Sequence, residues 1–403
     1  MNPPSWSGAG ELLIGRRMAQ LRVRLGMTQE VFAGRIGKSK SWVDKVERGQ
    51  RRLDRLSVIQ TVTQVLNVTP EVLLTGPTRQ QPTTGLAAAI ERVRAALASY
   101  DTPDTRIAPP PDELHPRVEH AWVAYRHAHH PQILKNLPDL LRDTRHASAA
   151  AEPRPVVDPL LRVYRLTAQI LVKLGEPELA WLAADRAIAT ATGDPRRTAI
   201  AAIPLTQALR ALNRGRLATA AAITAVHRIK PTPDSPPTDL ALAGILLNEA
   251  ALAAATYGDA PAAHDLTDRA ADLAHEYGDQ PHRGGGTAFG PTVVDLTHAH
   301  IATTLGDSQL AITTHHRATN TDAWRSLPAE HRAAHLIDIT RAHLDTGDPA
   351  AAGRALITAD HIAIAETRTR PAARTALIAI LRAGPTAADI TQLATAIGLT
   401  TTS

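Results

Sequence analysis

Cysteine is absent from this chain of 403 residues, and aromatic residues make up only 3% of it. The lack of cysteine excludes disulfide bonds, thiolate zinc sites and cysteine nucleophiles, and it fits a reducing cytoplasm. No charged segment followed by an apolar run opens the sequence, and no uninterrupted apolar stretch of about 18 residues occurs, so we expect neither a signal peptide nor a membrane-spanning helix. The sequence predicts a cytoplasmic protein.

Strand patterns of the kind that build nucleotide-binding folds are also lacking. Hydrophobic residues nevertheless account for 44% of the chain, and much of this fraction is alanine and leucine. Such a composition predicts an all-α protein whose helices pack at short distances. The length is sufficient for two or three domains.

Excess positive charge is confined to the N-terminal end of the chain. Of the 44 Lys and Arg and the 39 Asp and Glu residues, 12 basic and 6 acidic ones lie in residues 1–76. Residues 77–403 are close to neutral, with 32 basic and 33 acidic residues. A basic domain joined to a neutral one indicates that the basic domain meets a polyanion. Arginine supplies 38 of the 44 basic residues, which is typical of GC-rich genomes.

A stretch within this basic end, TQEVFAGRIGKSKSWVDKVERG, combines two short helical patterns with a glycine between them. Thr28 is suited to cap the first helix and Gly37 to end it. Ser39 is suited to cap a second helix, which runs from Lys40 to Arg48 and stops at Gly49. Two short helices joined by a tight turn predict a helix-turn-helix.

The same residues resemble the phage-repressor-like (XRE) helix-turn-helix family. The family pattern appears in register as Thr28-Gln29-Glu30, Gly37 and Val46-Glu47-Arg48-Gly49. The resemblance implies a compact five-helix domain at residues 10–76, preceded by a disordered N-terminus at residues 1–9. Together with the arginine content, it points to a regulator of the kind found in GC-rich, actinobacterial-type genomes.

The resemblance also implies which residues meet DNA. In the family the second helix lies in the major groove with its first residues on base edges, where Lys suits guanine and Ser suits either base pair. A glutamine at the start of the first helix clamps a phosphate, and arginines after the second helix reach the backbone. The predicted DNA-binding residues are Gln29, Lys38, Ser39, Lys40, Ser41, Trp42, Asp44, Lys45, Arg48, Arg51 and Arg52.

Alternatives stay open for some of these residues. Trp42 either packs on a sugar or thymine methyl group or covers the core of the domain. The arginines after the second helix either contact DNA or form a solvated face. Glu47 is predicted to be structural, because the family pairs this carboxylate with an arginine of the preceding helix, here Arg22, and because phosphates repel it.

Downstream, residues 77–85 are predicted as a linker, 86–157 as a connector helix with a helix pair, and 158–403 as a repeat domain. The repeat consists of a glycine, an alanine five residues later and, except at His227, an alanine twelve residues later. This pattern resembles the tetratricopeptide repeat and implies an α-solenoid of stacked helix hairpins. The repeat glycines are Gly175, Gly215, Gly258, Gly306 and Gly347.

Signals of an enzyme are weak. The 18 histidines form no HExxH motif, and no catalytic carboxylate cluster accompanies them. The glycine-rich stretch 284–290 lacks the Lys and Ser or Thr of a phosphate-binding loop. We therefore expect no catalytic activity, no metal site and no cofactor.

The sequence thus predicts a transcriptional regulator that binds double-stranded DNA, as a homodimer on an inverted repeat. Regulators that join these two modules often sense short signalling peptides through asparagine side chains, and Asn213 and Asn248 fall on candidate first helices of repeats. The repeat domain is accordingly expected to bind a peptide or small ligand, to mediate dimerisation, or both. The alternative is a protein-interaction adaptor, in which the repeats, and even the helix-turn-helix, dock proteins instead of DNA.

Overall fold

A computed structural model describes most of the chain. The described residues are 14–15, 18–19, 21–22, 27–51, 53, 56–66, 81–99, 109–150, 157–191, 193–232, 235–278, 288–384 and 386–399. All regular structure in these ranges is helical, which confirms the all-α prediction. The chain divides into two compact units, Met1–Thr84 and Gly85–Ser403. The predicted disordered residues 1–9 and the predicted fifth helix near residues 70–74 lie outside the described ranges.

The N-terminal unit contains three helices with described bounds, α1 (Gln29–Arg35), α2 (Lys40–Glu47) and α3 (Leu56–Leu66). Both predicted caps are formed. The hydroxyl of Thr28 accepts a hydrogen bond from the amide of Val31, and that of Ser39 accepts one from the amide of Trp42, each at 3.2 Å. Gly37 lies between α1 and α2 with φ of +66°, a conformation that glycine adopts at little cost.

The core of this unit lies under α1 and α2. Phe32 and Val43 have no exposed surface, and Met18, from a helical stretch preceding α1, packs with them. The same preceding stretch approaches α2 closely at Gly15, where an added Cβ would stand 2.0 Å from the carbonyl oxygen of Val46. Only glycine fits this position, because a side chain would collide with the backbone of α2.

The C-terminal unit is an array of antiparallel helix hairpins. Helix α4 begins at Gln81, within the stretch predicted as a linker at 77–85, because Pro82 is tolerated in a first helical turn. The array follows as α5 (Pro111–Arg126), α6 (His130–Ala150), α7 (Val157–Lys173), α8 (Pro177–Thr190), α9 (Pro195–Ala211), α10 (Gly215–Ile229), α11 (Pro237–Thr256), α12 (Ala260–Tyr277), α13 (Pro291–Leu305), α14 (Ser308–Thr319), α15 (Asp322–Ser326), α16 (Ala329–Asp345), α17 (Pro349–Ile362), α18 (Ile364–Thr369), α19 (Pro371–Arg382) and α20 (Ala388–Ala396).

The segment predicted as a separate connector, 86–157, belongs to this array. Helices α4, α5 and α6 share one continuous hydrophobic core with α7, α8 and α9, from Ala89 to Ala208. The α5–α6 hairpin also has the turn of the repeats, with Ala128 at φ of +56° where four other hairpins have glycine. The structure therefore places no domain boundary near residue 157.

The repeat register needs one correction. At four turns the predicted glycine has a positive φ, between +77° and +91°, but Gly215 does not. Asn213 takes the turn position instead, with φ of +58°, because asparagine tolerates the left-handed region better than other non-glycine residues. Gly215 begins α10, where an added Cβ would stand 2.7 Å from the side chains of Thr256 and Tyr257. Glycine is therefore required at position 215 for close packing of α10 against α11, not for the turn.

In the corrected register every hairpin of the predicted repeat has both of its alanines. Five residues after the turn, none of them has any exposed surface: Ala180, Ala218, Ala263, Ala311 and Ala352. Twelve residues after it, Ala225 replaces the apparent exception at His227 and is buried with its counterparts Ala187, Ala270, Ala318 and Ala359. These small side chains let the two helices of each hairpin approach closely.

The most apolar helix of the described residues is α11. Within its 20 residues, a window of 18 residues has a mean hydropathy of 1.4, which meets a length and composition test for a membrane span. In this structure 78% of that window is buried among neighbouring hairpins. Leu246, Ala250 and Ala254 have no exposed surface, which identifies α11 as the central core helix of the array.

Candidate nucleic-acid interface and a cavity in the repeat unit

Helix α2 exposes the residues that the sequence assigned to base contacts. Ser41 and Lys45 are exposed, and none of the described side chains pairs with Lys45. Lys40 is exposed and its Nζ lies 2.7 Å from Oε1 of Glu30 on α1. The hydrogen bond and charge of Lys40 lower the pKa of Glu30, and Glu30 raises that of Lys40 in the same way.

The turn and the C-terminal end of α2 carry the remaining predicted residues. Lys38 and Ser39 are exposed before the helix. Asp44 and Arg48 form an ion pair at 3.0 Å one turn apart, which holds the guanidinium along the helix. Arg51 is exposed, and Arg52 lies outside the described residues.

Trp42 packs against the core, which is one of the two roles that the sequence left open, and its contact with DNA stays a prediction. It is partly buried and packs against the core that contains Phe32 and Val43. Its exposed part lies beside Lys38, whose Nζ is 6.0 Å from the centre of the Trp42 ring. Trp42 therefore covers the core while one face stays accessible next to the predicted base-contacting residues.

The predicted pairing of Glu47 with Arg22 is confirmed. Nε of Arg22 donates to Oε1 of Glu47 at 2.7 Å and Nη2 donates to Oε2 at 3.1 Å. Nη1 of Arg22 also donates to the carbonyl of Met27 at 2.7 Å. The side-chain amide of Gln29 donates to Oε2 of Glu47 at 2.7 Å. Glu47 therefore joins three segments, and it fixes the side chain of Gln29, whose phosphate contact stays a prediction.

A second candidate site is a cavity of about 300 Å³ in the repeat unit. The first helices of successive hairpins, α5, α7, α9, α11, α13 and α16, supply its walls, together with Arg370 ahead of α19. Gln169 and Asn248 are among the lining residues and are 4% and 5% exposed. Asn213, the other asparagine predicted to sense a ligand, is exposed at the turn between α9 and α10 and does not line this cavity.

Buried ion pairs join the beginning of the array to its end beside this cavity. Nζ of Lys173 lies 2.8 Å from Glu330 and 2.7 Å from Glu366. His130, at the start of α6, places Nε2 3.1 Å from Glu366 and Nδ1 2.9 Å from the hydroxyl of Thr369. The contacts with Glu366 and Thr369 join residues more than 190 positions apart, so the array curves until its early and late hairpins meet.

These pairs shift the pKa values of the groups in them. Burial raises the pKa of Glu366, but Lys173, His130 and Arg370 outweigh burial and hold it well below its usual range. Burial likewise lowers the pKa of Lys173, yet Glu330 and Glu366 outweigh burial and leave it raised. Both groups are charged at neutral pH, and Glu366 has no exposed side-chain surface.

A cluster of neutral histidines adjoins the cavity, and His335 is one of the lining residues. Nδ1 of His315 is 2.9 Å from Nε2 of His335, and their rings are stacked with centres 5.1 Å apart. Burial, and then the neighbouring histidine, lowers the pKa of His335 to about 3. Burial lowers that of His315 to about 4. Within the described ranges no three His, Asp or Glu side chains converge as metal ligands.

Comparison with protein families gives the class of the N-terminal unit. Residues 13–74 match the sequence profile of the helix-turn-helix domain, a range that contains α1, α2 and α3. The N-terminal unit is therefore a helix-turn-helix domain, as the motif predicted.

One solved structure similar to this chain is that of Bacillus thuringiensis PlcR in complex with the peptide PapR7 and DNA. The two share 13% sequence identity, and the similarity covers 65% of this chain and 94% of PlcR with a TM-score of 0.33. A TM-score of this size does not establish a common arrangement of helices. No curated protein sequence matches this chain.

Sequence reasoning located the surface of α2 but missed the cavity. Gln169, Lys173, Glu249 and Glu366 gave no motif, because they come from separate hairpins and meet only through the curvature of the array. One signal was available: polar residues at Arg165, Gln169 and Lys173 repeat every four positions within the otherwise apolar α7, which indicates a polar stripe along one face.

Proposed function

We propose that this protein is a transcriptional regulator that binds double-stranded DNA through α2 and is controlled through its repeat unit. The observation that carries the proposal is the exposed face of α2 within a helix-turn-helix domain, where Ser41 and Lys45 are free of described partners. The excess positive charge of residues 1–76 supports it, since a polyanion is the expected partner. The proposed activity is not enzymatic.

The proposed mode of binding is that of the phage-repressor-like (XRE) family. Helix α2 enters the major groove, with Lys40, Ser41 and Lys45 toward base edges and Arg48 and Arg51 toward the backbone. A homodimer places two such helices on half-sites of an inverted repeat, about 34 Å or a multiple apart. Such a regulator works in the cytoplasm, on the nucleoid.

The repeat unit is the proposed sensory part. Its hairpins surround a cavity with buried polar side chains, which is the kind of site that takes a small ligand. A ligand that binds one conformation of the array better than another shifts the population of that conformation. The proposed consequence is a change in the separation of the two helix-turn-helix domains of a dimer, and hence in DNA affinity.

The test is selection of bound sequences from random duplex DNA with the full-length protein, followed by titration of the selected duplex at several salt concentrations. We expect an enriched inverted repeat and an affinity that falls steeply with salt. Lys45→Ala should weaken binding to that duplex by about 1–3 kcal/mol. Lys135→Ala, which alters an exposed lysine of α6, is the matched control and should have no effect.

The adaptor alternative gives a different result in the same experiment. A helix-turn-helix that docks a protein would enrich no DNA sequence, and its residual DNA binding would be equally weak in the Lys45→Ala protein. Repeating the selection with residues 1–84 alone separates this outcome from a ligand requirement, because the N-terminal unit without the repeats would then bind DNA.

A further inference from the structure

The cavity of the repeat unit is compact because the array closes on itself. Contacts of Lys173 with Glu330, and of His130 with Glu366, join the first hairpins to the last ones beside it. The cavity volume of about 300 Å³ lies at the lower end of the range of small-molecule sites. The site therefore suits a small molecule better than a long extended peptide or a helix.

The walls of the cavity are of two kinds. Ile245, Leu252, Val293 and Leu296 supply an apolar side from α11 and α13. The polar side contains Gln169 and Lys173 of α7 and Gln207 and Arg210 of α9, and α11 adds Asn248 and Glu249 to it. A ligand complementary to both sides has an apolar body and a polar head.

The charged residues that line the polar side are paired, and Arg165, which lies next to the wall residue Trp122, differs from them. The pairs are Arg126 and Arg162 with Glu119, Lys173 with Glu330 and Glu366, Arg210 with Glu249, and Arg370 with Asp338 and Glu366. Arg165 is 6% exposed, and no carboxylate of the described residues lies within ion-pair distance of it. Its guanidinium instead lies over the ring of Trp122, 5.3 Å from the ring centre. Trp122 is itself a wall of the cavity.

The burial of Arg165 also changes its pKa. Burial, and then the charge of Arg162, lowers the pKa of Arg165 to about 10, so the side chain remains cationic at neutral pH. A buried cation without an anion is unfavourable by itself. An anionic group in the cavity, whose wall residue Trp122 contacts Arg165, would be favoured by this charge, on the order of tenfold in affinity.

Polar atoms that line the cavity have unused hydrogen-bonding capacity. Among the described residues, no donor meets the buried acceptors Oε1 of Gln169 and Oδ1 of Asn248, and no acceptor meets the buried donors Nε1 of Trp122 and Nε of Arg210. The other contact of Arg210 is long, with Nη2 3.5 Å from Glu249. Buried polar groups are normally satisfied, and these four residues all line one cavity.

We infer that the cavity binds a compact monoanion with an apolar body and an amide-like head. Its N–H groups donate to Gln169 and Asn248, its carbonyl accepts from Trp122 or Arg210, and its negative charge compensates Arg165. This inference rests on the sensory role proposed for the repeat unit and specifies the ligand of that role. In the protein without ligand, water can occupy the polar side of the cavity, since the buried donors and acceptors there can hydrogen-bond to it.

The test uses three probes of similar shape and different charge. These are N-acetyl-L-leucine, which is an anion at neutral pH, N-acetyl-L-leucinamide, which is neutral, and L-leucinamide, which is a cation. Calorimetric titration of the full-length protein, with no DNA present, should give the tightest binding for the anion, by about tenfold over the neutral probe. N-acetyl-tetraalanine, an anion of greater length, should bind at least about tenfold more weakly than N-acetyl-L-leucine, because it exceeds the cavity.

Two variants assign the effects to residues. Arg165→Met should abolish the preference for the anion and should not lower the melting temperature, because it removes an uncompensated buried charge. Asn248→Leu should weaken the binding of N-acetyl-L-leucine and of N-acetyl-L-leucinamide equally. The preference for the anion over the neutral probe should remain. Arg228→Met, at an exposed arginine of α10, is the control for both.

Failure of the ligand inference can be distinguished from failure of the proposed function. If no probe bound at millimolar concentration, if the neutral probe bound as well as the anion, or if Arg165→Met kept the preference, the ligand class would be wrong. Those results would leave the DNA selection untouched. If N-acetyl-tetraalanine bound more tightly than N-acetyl-L-leucine, the inference of a compact ligand would be wrong and the site would favour an extended peptide.

Discussion

The two units of the chain use charge in opposite ways. In the helix-turn-helix unit Glu47 of α2 forms a mostly buried pair with Arg22, but the other charges of α1 and α2 are exposed or partly exposed. The pair of Lys40 with Glu30 keeps 58% and 68% of its side-chain surface accessible. In the repeat unit Glu366 has no accessible side-chain surface, yet it contacts Lys173, His130 and Arg370.

The difference determines what each set of charges can do. An exposed pair gains little free energy, because water and salt screen it, so its members can exchange partners when phosphates approach. A buried pair cannot exchange without leaving a desolvated charge behind. The buried pairs therefore fix the closed geometry of the array, while the exposed pairs leave α2 free to accept a new partner.

The largest effect is expected where the buried network is broken. Glu366→Gln removes the charge that Lys173, Arg370 and His130 share, at nearly constant volume. We expect the free energy of unfolding of the repeat unit to fall by about 3–5 kcal/mol, measured by urea titration at neutral pH. Glu178→Gln, at an exposed glutamate of α8, should change it by less than about 0.5 kcal/mol. A loss below about 1 kcal/mol at Glu366 would mean that the network adds nothing to closure.

The second effect is a dependence of stability on pH that only the repeat unit should have. His335 and His315 have pKa values of about 3 and 4 in the folded protein, below their ordinary value of 6.5. A histidine with a lowered pKa stabilises the fold above pH 6.5, and this stability is lost as the pH falls toward the folded value. Between pH 6.5 and about 4.5 we expect the coupled pair to cost on the order of 3 kcal/mol.

The measurement is urea unfolding at a series of pH values. His335→Leu should reduce the slope in this range, while His361→Leu, at an exposed histidine of α17, should keep it. Some slope will remain, because burial also lowers the pKa of His298 and His343. The lowered carboxyl pKa values of Glu366 and Asp338 act at still lower pH. An unchanged slope in His335→Leu would contradict the prediction.

A third prediction tests the corrected register of the repeats. Ala218 has no exposed surface between α10 and its neighbours, whereas Ala220, two residues later, is exposed. Ala218→Leu should lower the free energy of unfolding by about 2 kcal/mol through overpacking. Ala220→Leu should be nearly neutral, and the two thermal unfolding curves compare them directly. If Ala220→Leu were the less stable of the two variants, the repeat register that counts from Gly215 would be correct.

How far the sequence predicted the structure depends on whether a feature is local. Thr28, Ser39 and Gly37 mark helix ends within a few residues, and their caps and turn were predicted from residue type alone. The register error at Gly215 arose because asparagine can replace glycine at a turn while glycine serves a packing contact two residues later. The sequence pattern alone does not distinguish a glycine that a turn requires from a glycine that close helix packing requires.

The candidate sites, too, were predictable from the sequence only where they are local. The exposed residues of α2 come from one continuous stretch, and the resemblance to a known motif located them. The partners of Glu366 come from positions 130, 173 and 370, which meet only when the array has closed. Likewise, nothing in the sequence around Arg165 shows that it is buried beside Trp122 without a counter-ion.

The smallest effect is expected where an exposed pair is broken. Glu30→Gln removes the partner of Lys40 at the surface and should leave the thermal midpoint of the helix-turn-helix unit unchanged, because screened pairs contribute little. It should raise affinity for the selected duplex, measured by fluorescence anisotropy, because it removes a carboxylate next to the phosphates and releases Lys40. Glu178→Gln, in the repeat unit, should leave affinity unchanged. A weaker affinity of Glu30→Gln would show that Glu30 positions Lys40 for DNA, and the exposed pair would then fix geometry as the buried pairs do.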